Sequence, residues 1–187
     1  LLDQAVSKGT NNDAIRINLP DKETVVTVPT SGEYAYFSGS GDNLFNRMVT
    51  NIDLTTATTA KAKFKAWYDI EADWDYAYLY AFNSAGQFLG FLPGNITTTD
   101  NPNHAGRGNG ITGQSNGWVD AEFDLSAFAG DNITLFVLYE TDSYVSNPGL
   151  YIDDFSVETD AGVVASGNAD SAEDIFTLVG FNLDNGI

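Results

Sequence analysis

Three acidic clusters in this sequence have residue types and spacing that suit cation binding. The first is Glu71-Ala72-Asp73-Trp74-Asp75. Its carboxylates recur at every second position, so in extended backbone all three point the same way. Like charges on one edge repel unless a cation sits among them, and hard oxygen ligands suit Ca²⁺. An acidic turn open to water is the plainer account. The second cluster is Asp153-Asp154, within Leu150-Tyr151-Ile152-Asp153-Asp154-Phe155-Ser156-Val157. Strand parity groups Asp153 with Tyr151, Phe155 and Val157, and Asp154 with Leu150 and Ile152. Whichever face is inside, one aspartate points among apolar neighbours unless a bulge intervenes. A buried carboxylate is costly without a partner, and a metal ion, a backbone cap or an ordered water would each supply one. The third is the turn Gly39-Ser40-Gly41-Asp42-Asn43-Leu44. Turn chemistry alone explains its composition, although it also suits a loop that brings Asp42 and backbone carbonyls to an ion.

Other chemistries lack their residues. His104 is the single histidine, and there is no cysteine. His-pair zinc sites, HExxH and thiolate-metal sites are therefore excluded. No GxSxG, Walker loop or GxGxxG before a helix occurs. A glycosidase pair needs only two carboxylates roughly 5–9 Å apart, which so acidic a chain leaves open. Asn95-Ile96-Thr97 and Asn132-Ile133-Thr134 match the glycosylation pattern, a match easily made by chance.

Acidic residues outnumber basic ones 26 to 8 in 187 residues, for a formal charge of −18. Such a surface repels nucleic acid and anionic lipid, whose recognition needs Lys and Arg. Solubility in a salty environment and neutralisation by divalent cations both account for the charge. No apolar run approaches the ~18 residues of a membrane span. The opening LLDQAVSKGTNND has no signal-peptide pattern, and the chain reads as a piece of a longer protein.

The elements that must position these carboxylates are strands. Ala60, Ala62, Phe64, Ala66, Tyr68 and Ile70 share one face while Lys61, Lys63 and Lys65 share the other, period two over Ala60 to Ile70. Ile15, Ile17 and Leu19 alternate before a Pro20-Asp21-Lys22 turn. Tyr76, Tyr78, Tyr80 and Phe82 mark another strand, which turns at Asn83-Ser84-Ala85-Gly86 into 87–92. Further strands follow at 119–125, 133–139 and 150–157. With aromatics at 13% and no convincing helical stripe, these strands predict an all-β, antiparallel sandwich of two sheets. The sandwich is expected over 15–158, after an N-terminal extension or linker over 1–14. The Asn-, Gly- and Thr-rich stretch 93–117 reads as a solvated crossover between sheets or as a binding loop. Residues 159–187 read as a linker, followed either by the start of a further segment or by an edge strand.

Four stretches, in order, carry a family resemblance: LPDKETVVTVPTSGEYAYFSGSGDNLFNRM (19–48), FKAWYDIEADWDYAYLYAF (64–82), GWVDAEFDLSAFAG (117–130) and GLYIDDFSVE (149–158). Together with AEDIFTLVGFNLDNG (172–186), they resemble the region downstream of the protease domain in immune inhibitor A-type secreted metallopeptidases. The resemblance implies a bacterial, extracellular jelly-roll β-sandwich, appended to a zinc protease, stabilised by Ca²⁺ and without the catalytic zinc motif. The matching candidate ligands are Asp42, Glu71, Asp73, Asp75, Asp153 and Asp154. The implied role is an accessory domain that supports the catalytic domain of the parent protease or positions protein substrate. The alternative is a carbohydrate-binding or adhesion module of a surface protein, with Trp67, Trp74, Tyr76 or Trp118 as a stacking face for a glycan ligand.

Overall fold

The computed structural model describes residues 25–171 and 174–187, together with the short strands β1 (Ala5–Val6) and β2 (Ile15–Arg16), which pair with each other. The rest of the expected N-terminal extension, the continuation of the alternation through Ile17 and Leu19, and the Pro20-Asp21-Lys22 turn lie outside the described residues. The principal strands are β3 (Ala35–Phe37), β4 (Phe45–Asp53), β5 (Ala60–Ile70), β6 (Tyr76–Asn83) and β7 (Phe88–Phe91). They continue with β8 (Gly113–Gln114), β9 (Val119–Asp124), β10 (Asn132–Glu140), β11 (Gly149–Thr159), β12 (Gly162–Gly167), β13 (Thr177–Val179) and β14 (Asn182–Asp184). Among the described residues the only helical element is a single 3₁₀ turn at Ser126–Phe128.

β5 forms over the span that the alternation marks. Ala60, Ala62, Phe64, Ala66 and Ile70 are buried, and the lysines face outward to pair with carboxylates of β9 and β11. One sheet has the order β13-β4-β10-β6-β7; the other runs β14-β3-β11-β5-β8, with β12 paired to β11 and β9 to β5. Leaving aside the short additions, the two sheets read β4-β10-β6-β7 and β3-β11-β5-β9, all antiparallel. Each places early strands beside late ones, the double Greek key of a jelly roll. Between the sheets Phe64 stacks on Phe123 and Phe155, with centroids 5.6 and 5.9 Å apart. Each such buried ring contributes about 1.5–3 kcal/mol of apolar burial.

Two departures from the sequence expectation, and the edge-strand alternative for the C-terminal residues, matter for function. Stretch 93–117 is not simply solvated. Part of it folds back over β6, where Ile111 bridges Ala77 and the Arg107 N–H donates to the Tyr78 hydroxyl. The part expected as linker contains β12, hydrogen-bonded to β11. Beyond it, β13 and β14 extend one sheet each, and Phe176 and Phe181 enter the core.

Candidate metal centre

The turn after β5 is not extended. The Glu71 carbonyl accepts the Asp75 N–H at 3.1 Å and the Trp74 N–H at 3.4 Å, and Asp73 adopts φ +67°. The even spacing of the three acids therefore does not put them on one edge. Thr112 staples the turn: its hydroxyl donates to the Glu71 carbonyl and accepts the Asp73 N–H. Glu71 and Asp75 face each other across the turn, whereas Asp73 lines a separate depression with Asp100, Asn101 and Pro102.

The third member is Asp142, two residues past the end of β10, which the sequence reading did not single out. One carboxylate oxygen from each of Glu71, Asp75 and Asp142 lies within 4.8 Å of the others. An ion with oxygens at about 2.3–2.6 Å holds its ligands no more than about 5 Å apart, so the spacing fits one Ca²⁺. The Asp142 N–H donates to Asp75 Oδ1 at 2.8 Å, which fixes the loop to the turn. Asp142 Oδ1 accepts the Tyr144 N–H. Asp42 joins from the β3–β4 loop: the Asn43 N–H donates to the Asp142 carbonyl, and Ser146 Oγ donates to Asp42 Oδ1.

The electrostatics favour a cation. Asp75 is 1% exposed, and its pKa is pushed up to about 6, first by burial and then by the charges of Asp142, Glu71 and Asp42. The Asp142 N–H only partly offsets this. Glu71 is shifted upward by burial, then by Asp142 and Asp42. Among the described residues, the charged groups that act most on these two carboxyls are all acidic. Glu71 Oε2 is buried with no hydrogen-bond partner among the described residues, and so is the Tyr139 hydroxyl. Burial holds the Tyr139 proton in place, reinforced by the charges of Asp75 and Asp69. An all-oxygen donor set with an orphaned buried oxygen is what a hard divalent cation completes.

The YIDD pair lies elsewhere, midway along β11. A bulge between Asp153 and Ser156, with Asp154 at φ +50°, resets the parity. Phe155 and Val157 thereby join Leu150 and Ile152 in the core. Asp153 is fully buried, and its carboxylate accepts the N–H groups of Thr30, Ser31 and Asp154 and the Thr30 hydroxyl. Asp154 is exposed and accepts the hydroxyls of Thr30 and Ser31. The tryptophans do not form one platform. Trp67 packs edge-on against Tyr151, and Trp118 Nε1 donates to the Val28 carbonyl. Trp74 is 45% exposed, and Tyr76 is buried. Asn95 uses its side chain to bond the backbone of Asp120 and Glu122.

Fold and site together define a jelly-roll β-sandwich module with an acidic centre at one end. The chain belongs to the family described as "Immune inhibitor A-like, MAM domain", whose model matches residues 1–186. It is 38% identical over 172 residues to the pre-pro-metalloprotease PrtV of Vibrio cholerae serotype O1, covering 92% of this chain and 18% of that protein. It is 35% identical over 186 residues to immune inhibitor A of Bacillus thuringiensis subsp. alesti, covering 99% of this chain and 26% of that protein. Bacillopeptidase F of Bacillus subtilis (strain 168) is 29% identical over 154 residues, 80% of this chain and 9% of that protein. The chain thus spans about a fifth to a quarter of the length of PrtV and immune inhibitor A.

Proposed function

We propose that this chain is a non-catalytic, calcium-stabilised accessory domain of a secreted metalloprotease, supporting the catalytic domain or positioning substrate. Calcium binds Glu71, Asp75 and Asp142, with Asp42 as a further carboxylate at the rim. The observation that carries this reading is the convergence of three carboxylates from two loops, one of them leaving a buried oxygen unpartnered. The ion's role is structural: it ties the β5–β6 turn to the β10–β11 loop and cancels the repulsion that folding creates. The accessory role is supported by the family and by two relatives whose names or family place them among metalloproteases of much greater length. An extracellular location follows from the same reading, since millimolar calcium outside cells fills sites of modest affinity.

Thermal unfolding in calcium and in chelator tests the metal. Free ion at 100 times its dissociation constant adds about 2.7 kcal/mol, which for a chain of this size raises the midpoint by about 5–10 °C. Glu71→Gln and Asp142→Asn are expected to shrink that shift. Equal midpoints in calcium and chelator for the unsubstituted chain would remove the ion from the proposal.

A further inference from the structure

The two sheets present opposite kinds of outer surface. On the seven-stranded sheet, Lys61, Lys63 and Lys65 pair with Glu122, Glu158 and Asp120, a solvated and charged face. On the five-stranded sheet the outward positions of β6, β7 and β10 include Tyr80, Phe82, Phe88, Phe91 and Phe136, with Thr134 and Leu138 beside them. Tyr80 stacks on Phe136 with centroids 4.7 Å apart and planes 7° apart, and Phe88 meets Phe91 edge-on at 5.3 Å. Phe88 is 47% exposed. In a chain of charge −18, the five strands of this sheet bear only two carboxylates, Asp53 and Glu140, each at its strand's last residue. Arg47 lies on the same face near Tyr80, and no carboxylate pairs with it among the described residues.

The aromatic row is continuous with one that the molecule itself covers. Tyr76 and Tyr78, further along β6, are buried under the returning loop, where Gly106 and Gly110 lie against their rings. The cover reaches the edge of Phe91, beside which Gly108 lies, and no glycine of the loop lies against Tyr80, Phe82, Phe88 or Phe136. One stripe is therefore treated as interior at one end and left open at the other. A contiguous aromatic patch on a soluble module marks an interaction surface.

We propose that this open face docks against another domain of the same, longer polypeptide, through an apolar surface of that domain with a carboxylate opposite Arg47. The inference rests on the accessory-domain reading above and names the surface that serves it. A second copy of the chain is the poorer occupant, because it brings the same charge of −18 to the contact. Charge complementarity asks little of the partner beyond one anion. The relatives supply the source of such a partner, since most of the length of PrtV and of immune inhibitor A lies outside the matched region. A covalently joined domain acts at an effective concentration on the order of millimolar, so a patch of modest size is held without high intrinsic affinity.

Hydroxyl-radical footprinting of this chain alone and of the complete gene product tests the proposal. In the complete protein, oxidation of Tyr80, Phe88, Phe91 and Phe136 is expected to fall several-fold, while Trp67 on the opposite sheet keeps its rate. Phe88→Asp, at a half-exposed position, is expected to restore oxidation of Tyr80 and Phe91 in the complete protein without lowering the melting temperature of the chain alone. Equal oxidation in both forms overturns the proposal. So does protection in the chain alone that grows with concentration, which would assign the face to a second copy. Protease activity of the complete protein and the calcium shift of the chain are read separately. Activity with an unchanged footprint sinks the docking face alone; a protected footprint without protease activity keeps the face and sinks the accessory-protease reading.

Discussion

The Asp153 carboxylate grips Thr30, 123 residues away in sequence, by both its backbone N–H (2.8 Å) and its hydroxyl (2.7 Å). This contact pins the segment before β3 against the middle of β11. With the Ser31 and Asp154 N–H groups it fills the lone pairs that a metal would otherwise use.

Asp153→Ala leaves three N–H groups without their acceptor at a partly buried place. The expected cost is about 3 kcal/mol, a drop in melting midpoint of about 6–12 °C. Asp153→Asn, which keeps an acceptor oxygen, is expected to cost roughly half of that. Neither change is expected to alter the size of the calcium-induced shift. Loss of the shift in Asp153→Asn, with retention in Glu71→Gln, would move the ion from the β5–β6 turn to β11.

The strands were legible because a wet face and a buried face alternate without interruption. In β5 the lysines and the apolar residues state that rule residue by residue, and the structure follows it from Ala60 to Ile70. Parity misled where the backbone leaves extended geometry. Asp154 and Asp73 both take positive φ, a conformation aspartate tolerates better than most residues without requiring it, so composition does not announce it. Asp142 was invisible for another reason. It lies 67 residues from Asp75, and only the β10–β11 connection brings the two together. Its one local signal was an acid two residues past a strand that ends in Glu140.

The loop over β6 gives a second stability prediction. A β-carbon at Gly110 would lie 2.7 Å from the Tyr76 ring and 2.9 Å from that of Tyr78. Gly110→Ala therefore forces the loop off the tyrosines and is expected to cost about 1–3 kcal/mol. The expected signature is local: faster amide exchange over 98–111 and a changed near-ultraviolet tyrosine signal. Unchanged exchange there would show that the loop does not depend on this contact.

The ion pairs on the outer face of the other sheet are expected to matter much less. Lys63 and Glu158 are each about two-fifths exposed, and pairs of that kind contribute about 0.2–1 kcal/mol. Lys63→Ala should move the midpoint by no more than about 4 °C, and added salt should narrow the difference. A larger loss would mean that the lysine stem, not its charge, supports β5.

The acidic centre makes the most discriminating prediction, because its sign reverses with the metal. Asp75 titrates at about 6 in the fold, above its ordinary 3.8, so the metal-free native state binds its proton more tightly than the unfolded chain does. Stability from this group is therefore full below about pH 4 and is lost as pH rises toward 6. After allowance for solvent at the rim, the loss is about 2 kcal/mol. Asp75→Asn keeps the Oδ1 that accepts the Asp142 N–H and removes the charge. In chelator the variant is expected to match the unsubstituted protein near pH 4 and to exceed its stability above pH 6. In saturating calcium the order inverts, because the variant lacks a charged ligand and the unsubstituted protein gains the ion. Melts at pH 4 and 7, each with calcium and with chelator, read all four corners of the comparison. A variant merely damaged in folding would be less stable in every corner, so an inversion can come only from a carboxylate that repels its neighbours until a cation joins them.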